Sequence, residues 1–207
     1  LNFTSKFFSP KLLSMNDLIV IIIATVILLS VFMMYESKYS ELVYVKSDID
    51  NEEYLCRNRP DKQKAANILA KIKRKLLKIV EKLESDYPND ERVIRLVKKF
   101  QPKRITESVS GTKYTSYSVN KGEKIVFCIR SKDKEEKLVK LNTMMFVAIH
   151  ELAHVMTLSI GHTKEFWDNM RFILKVAIKH GIYKKQDFRK KPVPYCGTTI
   201  TDSPLEN

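Results

Sequence analysis

The chain has 207 residues, with 37 Lys and Arg against 24 Asp and Glu, a formal net charge of +13. That length suits one domain of ordinary size with appendages. The charge favours an acidic partner, whether nucleic acid, an anionic membrane surface or an acidic protein. Three cysteines, Cys56, Cys128 and Cys196, lie far apart without a CxxC pair. They speak against a disulfide framework and for a reducing compartment. There is no internal repeat, no P-loop and no GxGxxG.

Residues 1–17 form an N-terminal flank. The first methionine is Met15, so translation is expected to begin there, with residues 1–14 upstream of it. Residues 18–35 are an uncharged apolar run of 18 residues, the short end for a bilayer span. A signal peptide has a shorter apolar region, a basic start and a small-residue cleavage site, and Glu36-Ser37-Lys38-Tyr39 offers none. A single-pass transmembrane anchor is the reading on hydropathy, with a buried core helix as the alternative. Asp17 before the run and Glu36, Lys38, Glu41 and Lys46 after it leave its orientation open. The cysteine argument puts the domain on the reducing side. Residues 36–59 are polar and mixed, with a short extended piece at 42–45, and read as a tether to a domain over 60–207.

From residue 61 to 86, Ala65, Leu69, Ile72, Leu76, Val80, Leu83 and Tyr87 recur at steps of three and four, the mark of an amphipathic helix. Pro60 fits its start. The other face carries Lys71, Lys73, Arg74, Lys75, Lys78 and Lys82. Residues 60–104 hold 14 Lys and Arg against 6 Asp and Glu. No aromatic residues interleave with these charges as stacking platforms would require, so nucleic acid is the less favoured partner. A solvated face, or one lying against anionic lipid or another acidic partner, fits better. Tyr87-Pro88-Asn89-Asp90 is a turn, and Asn89 or Asp90 can cap a short helix to Phe100.

Residues 115–119 and 124–129 read as strands joined through Asn120-Lys121-Gly122, which is hairpin chemistry. The second strand immediately precedes the helix described next, and an edge strand beside that helix could bind an extended peptide by strand addition. Residues 131–137 form a charged loop.

Residues 142–158 read as a helix: no Gly or Pro, and many Leu, Met, Ala and Glu. It contains His150-Glu151-Leu152-Ala153-His154, an HExxH motif. Residues four apart share a face, so His150 and His154 point the same way at a separation that suits tetrahedral Zn²⁺. Glu151 sits one step round, in reach of a water polarised by the metal, as a general base. Met144, Met145, Ala148, Leu152 and Val155 make the helix a buried one. A buried Glu between two buried His is costly unless a metal or hydrogen bonds satisfy it. The competing reading is a chance HExxH on a core helix. Gly161 is expected to break the helix and turn His162 back as a third ligand. Thr163 then caps a helix to about His180, with Phe166, Met170, Ile173 and Ala177 inward, Trp167 beside them and Gly181 at its end. The tail over 191–200 is too rich in Pro and Gly for a helix.

HExxH followed by Gly161-His162-Thr163-Lys164-Glu165-Phe166-Trp167 resembles the zincin metalloproteases of the WLM and SprT-like group. Those have a third His after a short connection and Phe or Phe-Trp four residues on. The resemblance covers about residues 140–180. The span from about 54 to 205 also resembles metallopeptidase-type proteins of large DNA viruses of algae and protists. The gap from His154 to His162 is longer than in metzincins and shorter than in most SprT-like sequences, so Glu165 and Asp168 stay open as alternative third ligands. The family's basic DNA-binding tail is not recognisable.

The resemblance implies an α+β fold, mainly helical and zincin-like with a small antiparallel hairpin, and hydrolysis of peptide bonds in a peptide or protein substrate. Besides zinc, such a reaction needs an oxyanion donor; Tyr114, Tyr117, Tyr183 and Tyr195 are the candidates. Pro194-Tyr195-Cys196-Gly197 resembles the thiol-bearing segment that caps zinc in latent metalloproteases. The alternative for Cys196 is a small apolar residue in the tail. Two other functions are carried forward. One is a virion structural protein linking membrane and shell with a zinc site kept for stability. The other is a nucleic-acid-associated SprT-like protease. The viral resemblance adds virion proteins as partners and a virion membrane or interior as location.

Overall fold

The computed structural model describes residues 14–205. Readings that fall on residues 1–13 lie outside the described residues. Helix α1 (Met15–Tyr39) opens on a capping box: the Ser14 hydroxyl accepts from Asp17 N, and the Asp17 carboxylate accepts from Ser14 N. Inside it, the hydroxyls of Thr25 and Ser30 donate to the carbonyls of Ile21 and Val26, each at 2.8 Å. They therefore add no unmet polar group to an apolar surface. Residues Met15–Glu36 are long and apolar enough to cross a membrane, and none of this stretch is buried. The chain divides after Ser40, and Glu41–Asn207 is a separate compact unit.

The stretch expected to be a tether is folded. β1 (Leu42–Lys46) and β2 (Glu53–Arg57) pair antiparallel, and Val45, Tyr54 and Cys56 enter the core. The sequence pattern hid this because the strands are short and half polar. Apolar alternation over two or three residues does not stand out from a mixed linker.

α2 (Lys62–Asp86) buries the expected stripe and more: Ala66, Ala70 and Ile79 join it. Lys73 departs from the basic face assigned to it. It is 5 % exposed, and its ammonium pairs with Glu52 of the β1–β2 connection. Tyr87, expected in the stripe, is at the surface, edge-on to Phe172 at 4.9 Å. α3 (Glu91–Lys99) starts at Asp90, whose side chain accepts from Arg92 N.

β4 (Tyr117–Val119) and β5 (Lys124–Phe127) form the expected hairpin, with Asn120, Lys121 and Gly122 all at positive φ. A strand that the sequence did not reveal, β3 (Ile105–Glu107), pairs parallel with β5, giving the order β3-β5-β4. β5 is therefore central, and the edge strand beside α4 (Leu141–Met156) is β4. Glu107 and Arg130, both buried, pair at 2.6 Å; Asp61 takes Arg130 at 2.7 Å and Glu107 takes Arg57 N at 2.8 Å. That network ties β2, β3 and the start of α2 to the chain beyond β5.

α4 is the middle of the core. Twelve of its 16 residues are buried, and it packs against α2, α3, β4 and α5 (Lys164–Lys179). It ends at Met156, with Thr157 extended, five residues before the Gly161 expected to break it. The tail forms β6 (Val193–Tyr195) and β7 (Thr198–Ile200), joined through Cys196 and Gly197 at positive φ. Cys196 is disulfide-bonded to Cys128, 68 residues away. The fold is mixed α+β with three small sheets among the described residues.

Candidate metal centre and cleft

Helix geometry gives the first two side chains. His150 and His154 stand one turn apart on the face of α4 that looks out of the core, so each is half-buried. His162 arrives from the loop beyond α4, with Gly161 at φ +82° supplying the turn. The three Nε2 atoms converge: 3.2 Å from His150 to His154, 3.2 Å from His154 to His162 and 3.0 Å from His162 to His150. Ligands about 2.0–2.1 Å from a tetrahedral Zn²⁺ lie about 3.3 Å apart. The donor set therefore fits that ion. Among the described residues this is the one cluster of three or more His, Cys, Asp or Glu placed to hold a metal.

Phe166, fully buried in the first turn of α5, lies under all three imidazoles, with centroids 4.3–4.8 Å away. Trp167 stands 5.5 Å from the His162 ring. Burial, helped by the neighbouring imidazoles, pushes His150 down to about 3. Burial and His162 push His154 down to about 4. Both rings are therefore neutral at pH 7, with lone pairs free for a cation.

Glu151 shares the cleft and is 3 % exposed. Burial pushes its carboxyl up to about 8, against a backbone hydrogen bond from Ser118 of β4. Its Oε2 is buried without a hydrogen-bond partner among the described residues. An orphaned buried carboxyl oxygen beside three converging imidazoles fits a site for a cation. The cleft has a volume of about 330 Å³. One wall is residues 115–118, at and before β4, and the other is the loop 159–162.

The remaining candidates separate. Tyr117 lines the cleft, with Tyr114 beside it at 5.8 Å. Tyr195 lies behind the wall, buried, its hydroxyl 2.6 Å from Ser116 Oγ. Tyr183 is buried against Phe146 and is not part of the cleft lining. Glu165 does not join the histidines. Its carboxylate accepts from Leu158 N, Ser159 N and Ser159 Oγ, and these bonds, led by the Leu158 amide, hold it down at about 2. Asp168 is taken by Lys164 and Arg171 at 2.7 and 2.8 Å.

Cys196 has no thiol to offer a metal, because its sulfur is bonded to Cys128. Zinc capping is therefore ruled out for this form of the chain, and the cysteine argument for a reducing compartment falls with it. A separation of 68 residues carries no sequence sign of pairing. Lys121, which also lines the cleft, was read only as a turn residue; nothing local in the sequence marks its role.

A match to the WLM domain spans residues 48–203. Uncharacterized protein R325 of Acanthamoeba polyphaga mimivirus is 35% identical over 201 residues, covering 93% of this chain and all of that protein. Uncharacterized protein 042R of Invertebrate iridescent virus 3 is 40% identical over 68 residues, 33% of this chain and 42% of that protein. Among solved structures, Wss1 from Saccharomyces cerevisiae aligns with a TM-score of 0.45 at 20% identity, covering 59% of this chain and 86% of that one.

Proposed function

We propose that this chain, which belongs to the WLM domain family, a metalloprotease-like family, is a membrane-anchored zinc-dependent peptidase. The observation that carries the reading is the convergence of three histidine Nε2 atoms within 3.2 Å of one another beside the buried Glu151. His150, His154 and His162 would hold the ion. Zinc bound there would supply Lewis acidity for polarising a carbonyl and acidifying a water.

The chain's own residues do the rest. Glu151 receives the proton of the attacking water on its carboxylate and returns it to the leaving amine nitrogen. Burial raises its proton affinity towards the working pH and so suits it to both transfers. The free edge of β4 can hydrogen-bond an extended peptide backbone along the cleft. Of the four candidate tyrosines Tyr117 lines the cleft, and in this reading it donates to the developing oxyanion. Exposed Tyr117, Ile160 and Trp167 border the histidines, and apolar substrate side chains suit that border. α1 is the membrane anchor in this reading. Exposed Lys71, Arg74 and Lys78 recur along one face of α2 and suit anionic headgroups. Relatives in large DNA viruses make virion proteins candidate substrates or neighbours.

The test is Glu151→Gln in full-length protein. Elemental analysis should find one zinc per chain in both forms, while cleavage of a mixed peptide library falls about 10²-fold or more. Equal cleavage by both would take Glu151 out of the mechanism. Zinc-loaded protein that cleaves nothing would favour the structural alternative. Salt-dependent DNA binding would favour the nucleic-acid-associated one.

A further inference from the structure

The chain between α4 and His162 has no helix or strand of its own, yet two side chains from elsewhere take up its backbone groups. Lys121 Nζ, reaching across from the β4–β5 turn, donates to the carbonyl oxygens of Thr157 and Ser159 at 3.0 Å each, and to that of Leu158. An ammonium has three protons, and three carbonyls use them all. From the other side, the Glu165 carboxylate accepts from the amides of Leu158 and Ser159 at 2.9 and 3.0 Å and from Ser159 Oγ at 2.7 Å. Arg95 takes Met156 O at 2.5 Å. Both cations sit at the C-terminal end of α4, where the helix dipole favours them.

We propose that Lys121 and Glu165 are positioning residues for the metal site: a cation on the carbonyl side and a carboxylate on the amide side clamp residues 157–159 so that His162 meets His150 and His154. The inference rests on reading the three histidines as ligands. Fixing a loop residue costs backbone conformational entropy. If the loop were free, metal binding would bear that cost; a clamp formed on folding removes it in advance. The clamp also gives a lysine a place in the cleft lining, since its three ammonium protons are all taken by loop carbonyls.

The test is zinc affinity, read by competition with a chromophoric chelator on full-length protein in detergent. The proteins are wild type, Lys121→Met, Glu165→Gln, His162→Ala and the two double variants with His162→Ala. Lys121→Met and Glu165→Gln should each weaken zinc about 10–100-fold, the range for residues that orient ligands. Each double variant should bind zinc no more weakly than His162→Ala alone, since a clamp without its histidine has nothing to position. Additive losses in the doubles would mean a general structural role and overturn the proposal. So would wild-type affinity in both clamp variants. If Lys121→Met fails to fold by circular dichroism, Glu165→Gln decides the matter from the other side. Wild-type affinity in His162→Ala would instead overturn the ligand reading itself, and the clamp with it.

Discussion

Glu165 shows how one residue type at one position can be read in two ways. A carboxylate three residues after a candidate ligand looks like a ligand itself. In the fold it faces two backbone amides and a hydroxyl, which stabilise its ionised form and hold it at about 2, against 4.5 in an ordinary chain. A carboxyl whose folded value is depressed adds stability that is fully present above the unfolded value. That stability is lost as the pH falls from about 4.5 towards 2. Glu165→Gln removes the charge with little change of shape. The stability gap between wild type and this variant should therefore be constant above pH 4.5 and shrink at pH 4 and 3. Urea unfolding of the metal-free proteins at pH 7, 4 and 3 measures it. A gap independent of pH would mean that the carboxylate's charge plays no part in holding the loop. Trp167, the single tryptophan, lies 5.5 Å from the His162 ring. Its emission follows the same loop.

The β4–β5 turn and α4 act as a pair of elements. Gly122 is at φ +111°, and a Cβ there would stand 2.8 Å from both Lys99 O and Val155 Cγ1. The close approach docks the turn on the last turn of α4 and brings Lys121 over the loop carbonyls. Gly122→Ala should cost about 1–3 kcal/mol through clash and backbone strain together. It should also weaken zinc, because it displaces the turn that carries Lys121. Gly161→Ala, with open space around its Cβ position, should cost only the left-handed backbone term of about 1–2 kcal/mol. Denaturant unfolding of both variants compares the two. Much of this pair was legible: the turn chemistry of Asn120-Lys121-Gly122, the HExxH face, the Thr163 cap and the inward Phe166 all follow from spacing within a few residues. The Lys121 reach spans 36 to 38 residues, and β3 pairs with β5 across 20. Long-range contacts of that kind leave no period in the sequence. The β1–β2 hairpin was missed for a related reason, since its strands are too short for alternation to show.

At the scale of the whole molecule, the Cys128–Cys196 bond bears on the surroundings that suit the folded domain. Cysteine count and spacing argue for free thiols, but the fold brings the end of β5 and the β6–β7 turn to a Cα separation of 6.3 Å and closes the bond. The bond tethers the neighbour of Tyr195, whose hydroxyl meets Ser116 at the back of the cleft wall. Ser116 Oγ also accepts from Cys128 N at 3.0 Å, so disulfide, tyrosine and cleft wall form one connected support. Cross-linking residues 68 apart removes loop entropy from the unfolded chain worth about 4 kcal/mol in the chain-entropy treatment. The paired variant Cys128→Ser/Cys196→Ser should lose stability of that order and should slacken the wall that carries β4. Thiol titration of wild type in denaturant without reductant should find one free thiol per chain, that of buried Cys56, and three after reduction. Three thiols before reduction, in protein taken from its native setting, would show that the bond does not form there and would restore the reducing side as the domain's place. One thiol would favour a compartment that tolerates disulfides. With α1 read as the anchor, that result would also fix which face of the membrane the cleft looks onto.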